Sequence, residues 1–149
     1  KGIEAIKQAF TDSLECKEKI IREKWSSTHS DLKEKNYVDF IYDYAKKRIQ
    51  SGILMRELNY PNAHSLYAPI EHTSKLILKE IRLLPDEIDK DISYRIYDNT
   101  MYLISFNELN ELIVITVKDY FFVKLMKNLY DFVWSYSKPI SSMTYKTNE

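Results

Sequence analysis

The sequence predicts an α/β fold, a single domain built on a mixed β-sheet flanked by helices. Three observations carry this. The first half alternates amphipathic helical segments with short apolar runs, the order that builds parallel strand pairs. The second half places Asp98-Asn99 between two apolar runs, a tight-hairpin signal that adds antiparallel strands. The chain then closes on a long segment of helical periodicity.

Ile3, Ile6, Phe10 and Leu14 recur at helical spacing and predict a first helix from residue 3 to about 17. Lys19 to Trp25 reads as a strand, and Ser26 to Asp31 as a polar loop. Tyr37, Phe40, Ile41, Tyr44, Ala45 and Ile49 mark a second helix, stopped by Gly52. Ile53 to Leu58 is the next strand, and Asn59 to Ser65 a loop containing Pro61. Pro69 suits the first turn of a third helix running to about Lys79. Ile81 to Pro85 is a brief extended piece. Tyr94–Tyr97 and Met101–Phe106 form the hairpin, and Leu112–Val117 follows as a strand. Phe122, Leu125, Met126, Leu129, Phe132, Val133 and Tyr136 give the closing helix, ended before Pro139. Residues 1–140 are read as the folded domain and 141–149 as a polar tail.

A chain of 149 residues is long enough to bury a real core. Lys plus Arg equals Asp plus Glu at 22 each, so the basic surplus expected of a chain that grips nucleic acid by itself is absent. No apolar run approaches the ~18 residues that a membrane span requires. Cys16 is the sole cysteine, which excludes an internal disulfide and a Cys-rich zinc site and fits a reducing, cytoplasmic setting. The chain opens at Lys1 already inside an apolar-periodic segment, as expected of a piece of a longer protein.

With Gly2 and Gly52 the only glycines, phosphate-cradling and dinucleotide-binding loops are excluded. Cys16 has no histidine nearby in sequence and reads as a buried thiol rather than a nucleophile. His29, His64 and His72 lack zinc-ligand spacing, so neither a metal nor a cofactor is expected. Arg48 shares a helix face with Tyr37 and Tyr44, beside the apolar stripe. It reads either as a structural cation, paired with a carboxylate such as Glu80, or as an anion-binding group in a pocket. Ligands of open α/β sheets sit beyond the carboxyl ends of the strands, which points to the loops holding Ser27, His29 and Asn59. Arg56, Glu80 and Arg82 complete the candidate ligand-binding set, with Glu80 and Arg82 placed around the end of the third helix.

Tyr94 to Phe106, followed by Leu112-Ile113-Val114-Ile115 and by Leu129 to Trp134, resembles the end of the sensor domain of TrmB-like transcription regulators. Lys1 to Ile6, Tyr44 to Ile53 and Lys79 to Pro85 resemble further segments of that family, so the likeness spans nearly the whole chain. One departure is Asp98, where the family's hairpin commonly has Gly. The resemblance implies a non-catalytic, phospholipase D-like fold and a regulatory domain that binds a small-molecule effector, dimerises, or does both. DNA would be contacted through a winged helix upstream of this chain. The family's sugar-binding residues have no recognisable counterparts here, and none is carried over.

Two other readings stand beside this one. A phospholipase D-like phosphodiesterase needs a His-x-Lys pair, yet His72 is followed by Thr73, Ser74 and Lys75. A purely structural dimerisation module would instead show an exposed apolar stripe on its first or last helix.

Overall fold

The computed structural model describes residues 2–26, 35–60, 78–85, 88, 91–108 and 111–139. Its first helix, α1 (Ile3–Asp12), turns Ile6, Ala9 and Phe10 inward at the spacing of an amphipathic helix. Ser13–Glu15 tighten into a 3-10 turn, so the α-helix ends before residue 17. The cause is distant in sequence. The Asp98 carboxylate accepts the backbone N–H groups of Lys17 and Glu18 at 3.0 Å and fixes them in a turn.

The strand β1 (Ile20–Lys24) follows, then α2 (Lys35–Gln50). Gly52 stops α2 at φ +66°, a left-handed angle that suits a residue without Cβ. Next come β2 (Leu54–Asn59) and β3 (Lys79–Leu83). The expected third helix, from Pro69 to about Lys79, falls mainly on residues 69–77, outside the described residues. Its expected end is corrected, because Lys79 and Glu80 belong to β3. Lys79 pairs with Met55 and Glu80 with Arg56, so parallel pairing with β2 claims these residues for the sheet.

β4 (Ser93–Tyr97) and β5 (Thr100–Phe106) form the expected hairpin across Asp98-Asn99. Of the two turn residues only Asp98 has positive φ, at +44°. β6 (Leu112–Val117) pairs antiparallel with β5. Asp119 caps α3 (Tyr120–Tyr136) by accepting the Phe122 N–H, and Lys138–Pro139 then form a short β7. β7, which the sequence did not announce, pairs antiparallel with β3 at the sheet edge, where a missing proline N–H is tolerated.

The sheet order is β6-β5-β4-β1-β2-β3-β7. β1, β2 and β3 are parallel, and every other pairing is antiparallel. The sheet is thus mixed, as expected. Residues of α1 and α2 (Ile6, Phe10, Tyr37 and Tyr44) pack with Met55, Ile104 and Leu112 on one face. Residues of α3 (Val123, Tyr130 and Trp134) pack with Leu58, Ile96 and Met101 on the other. No described helix is long and apolar enough to cross a membrane.

The turn residue sets up a test. Glycine at position 98 would relieve the left-handed backbone by about 1 kcal/mol. It would also remove charge-assisted hydrogen bonds together worth about 1.5–3 kcal/mol. Asp98→Gly is therefore expected to destabilise the domain by ~1 kcal/mol in urea unfolding, although it restores the residue common in similar hairpins.

Candidate functional site

A strand covered on both faces usually keeps apolar residues on each. β1 instead runs Arg22-Glu23-Lys24, which puts charge on both faces because successive side chains alternate. Glu23 points to the α1/α2 side. Its register partners are Arg95 on β4 and Glu57 on β2. Lys79 on β3 reaches Glu57 at 2.6 Å. A charge row Arg95–Glu23–Glu57–Lys79 therefore crosses four adjacent strands.

Arg95 is fully buried, and its contacts are dense. Its Nε and Nη2 donate to Glu23 Oε1 at 2.9 and 2.6 Å. Its Nη1 donates to Ser13 Oγ at 2.8 Å and to the Tyr44 hydroxyl at 2.7 Å. The guanidinium carbon lies 3.5 Å from the centroid of the Phe10 ring, a cation–π contact. Glu57 also accepts from Asn59 Nδ2 at 3.0 Å.

Like charges side by side on neighbouring strands repel. Here a cation at each end of the row offsets the Glu23–Glu57 repulsion. Burial pushes the Glu23 carboxyl above its ordinary range and Glu57 adds to this, while Arg95 opposes it. Burial alone would lower Arg95, but Glu23 and Tyr44 hold it above its ordinary value and keep it cationic. Burial, with help from Glu23, raises the Tyr37 phenol. The row can orient helices and hold charge, but it offers no nucleophile. Burial also raises the Cys16 thiol, which keeps it protonated. Among the described residues, no group of three or more His, Cys, Asp or Glu is placed to hold a metal.

The residues singled out from sequence fall in three places. Arg48 is buried at the amino ends of the parallel strands, where Nη1 donates to the carbonyls of Ile53 and Leu78 at 2.5 and 2.7 Å. There it bridges the end of α2 to the entries of β2 and β3. Arg56, Glu80 and Arg82 lie on the α3 face. Arg56 Nε bonds Glu80 Oε2 at 3.1 Å, and Arg82 Nη1 donates to the Trp134 carbonyl at 2.8 Å. Both guanidinium groups lie against the Trp134 ring. Asn59 stands at the carboxyl end of β2, where its Oδ1 accepts the Tyr60 N–H. Nearby, Ser26 donates its N–H to Ser93 Oγ at 2.7 Å, and Lys24 Nζ donates to the Ile92 carbonyl at 2.7 Å. Ser27 and His29 lie outside the described residues. The described candidates therefore do not line one pocket: they occupy the two ends and the opposite face of the sheet.

Sequence reasoning passed over Glu23, Glu57, Lys79 and Arg95. A signal was present. Glu23, Glu57 and Arg95 each interrupt a run assigned to a core strand, and charges in such strands must pair or be exposed.

Four outcomes follow for stability. Arg95→Met leaves Glu23 buried without its main partner and is expected to cost about 3–5 kcal/mol. The double variant Arg95→Met/Glu23→Met should recover most of that loss in denaturant unfolding, because an apolar pair can replace a buried ion pair. Arg48→Ala is expected to destabilise by about 2–4 kcal/mol through its lost carbonyl bonds. Arg56→Ala, at a partly exposed ion pair, should stay within about 1 kcal/mol.

No family model and no curated protein matches the chain. Among solved structures it is similar to TrmBL2, described as an archaeal chromatin protein with a novel mode of DNA binding. The TM-score is 0.68 at 17% sequence identity, and the match covers 93% of this chain and 52% of that one. The chain spans about half the length of TrmBL2, and what the two share is the fold.

Proposed function

We propose that this chain is the regulatory domain of a TrmB-like, DNA-binding transcription regulator. It is non-catalytic and cytoplasmic, works as a homodimer, and uses a phospholipase D-like sheet. The observation that carries this is the fold likeness to TrmBL2 over 93% of the chain. DNA contact belongs to a segment outside this sequence, in keeping with the balanced charge of 22 basic and 22 acidic residues. A non-catalytic role is supported by the buried charge row, whose ions answer one another, and by the shielded Cys16 thiol.

The small-molecule effector is read at the carboxyl ends of β1 and β2. Ligands of open α/β sheets bind there, and β1 is the strand at which the chain switches sides, with β2 to one side and β4 to the other. Ser26, Asn59 and Tyr60 stand at that end.

The test is a thermal-shift screen against sugars, phosphorylated metabolites, nucleotides and simple anions, run beside a turnover assay on bis(p-nitrophenyl) phosphate. A ligand at about 100 times its Kd adds ~2.7 kcal/mol to stability, which is a rise of roughly 5–10 °C for a domain of this size. A reproducible shift without turnover is the expected result. A flat panel overturns effector binding, and phosphodiester turnover overturns the non-catalytic assignment.

A further inference from the structure

α3 carries two apolar faces. One, formed by Val123, Tyr130 and Trp134, is buried against the sheet. The other is exposed and consists of Phe121, Phe122, Leu125, Leu129, Phe132 and Tyr136. Phe121, Phe132 and Tyr136 are 79%, 62% and 71% exposed. At 3.6 residues per turn these six side chains fall within an arc of about 100°, opposite the core-facing residues. Lys124, Asn128, Asp131 and Ser135 form a polar strip along one flank, and no charge falls inside the apolar arc. An amphipathic surface helix needs one apolar stripe, and a second stripe requires a second cover.

The helix behind this stripe is firmly seated. Asp131 accepts from Arg22 Nε at 3.0 Å and from Nη2 at 3.3 Å. The Tyr130 hydroxyl donates to the Arg56 carbonyl at 2.7 Å, and Lys127 pairs with Glu18. A stripe on a fixed helix presents its side chains with little ordering cost on binding.

We infer that the outer face of α3 is a homodimer interface, closed by the α3 of a second copy packed antiparallel about a two-fold axis between Asn128 and Leu129. The inference rests on the homodimer part of the function proposed above and does not depend on an effector. Its first support is spacing. A two-fold at that point sets Phe121 opposite the partner's Tyr136 and Leu125 opposite the partner's Phe132, with Leu129 beside its own copy at the axis. A surface that matches itself in this way is the requirement of an isologous contact. Its second support is area. With about 200 Å² for an aromatic side chain and somewhat less for leucine, the exposed fractions give roughly 600–700 Å² of apolar surface per copy. That exceeds the largest patch usual on a monomer, about 300–600 Å². Two such faces bury about 1,200–1,400 Å², within the range of a specific, stable interface. The third support is charge: closing the apolar arc buries no ion, so association carries no unpaired-charge penalty.

The experiment is sedimentation equilibrium and light scattering on the whole chain from 1 to about 100 µM, for wild type and for Leu125→Asp/Phe132→Asp. Both positions are exposed, so the circular dichroism spectrum should be unchanged, and the melting temperature should fall only by the part that association adds at that concentration. Wild type is expected at twice its 17.8 kDa chain mass. The double variant should dissociate with a Kd more than about 100-fold weaker, as for two central hot-spot residues. The register is read separately. Leu129→Cys should form a disulfide-linked dimer on oxidation, whereas Ser135→Cys, on the polar flank, should not. Cys16 is fully buried and stays out of this reaction. A dimeric wild type whose double variant remains dimeric overturns the α3 interface and leaves the homodimer standing. A monomeric wild type overturns both, and the stripe then belongs to another segment of the parent chain or to a different protein.

Discussion

Arg95 is fully buried near the centre of the sheet, and a cation there is tolerable only if its donors are met. Three separate elements meet them. Ser13 comes from the turn that ends α1, Tyr44 from the middle of α2, and Glu23 from β1. Phe10 of α1 closes over the guanidinium plane. One side chain on β4 therefore sets where both helices of this face sit. A shift of either helix by one turn would leave a buried donor unanswered, a cost comparable to a large share of the stability of a domain. Glu57 and Lys79 carry the same requirement on to β3. The parallel half of the sheet and the hairpin half are thereby tied together through one electrostatic row.

The two ends of the parallel strands are treated differently. At the amino ends, Arg48 ties the Ile53 and Leu78 carbonyls together and closes the crossover from α2 into β2. The guanidinium is committed to backbone, and burial lowers its pKa, as desolvation of a cation must. At the carboxyl ends stand Ser26, beyond the end of β1, Asn59, the last residue of β2, and Tyr60.

Much of this architecture is legible in the sequence, because hydrophobic period is a local property. The hairpin, β6, α2 and α3 each show their period within a dozen or so residues, and each appears where the period puts it. What escapes is set by distant partners. Asp98 ends the first helix early through two amides 81 and 80 residues away. Lys79 and Glu80 join a strand because β2 offers a parallel edge. The short β7 exists because α3 delivers the chain to the edge of β3. The described candidates are spread over the sheet for a related reason. Arg48, Arg56 and Asn59 are close in sequence, yet they diverge to one end, one face and the other end of a single strand. Only register reveals that Glu23 lies between Arg95 and Glu57.

The two apolar faces of α3 differ in kind. Tyr130 and Trp134 stack at 5.9 Å on the inner side, with Arg82 4.8 Å from the Trp134 ring. That inner contact is mixed, aromatic against cation and carbonyl, and it orients the helix. The outer face is apolar alone, with no polar atom except the Tyr136 hydroxyl at its rim. Polar pairing specifies direction, while apolar area supplies driving force without direction. A helix oriented by the first holds its second apolar face fixed and exposed.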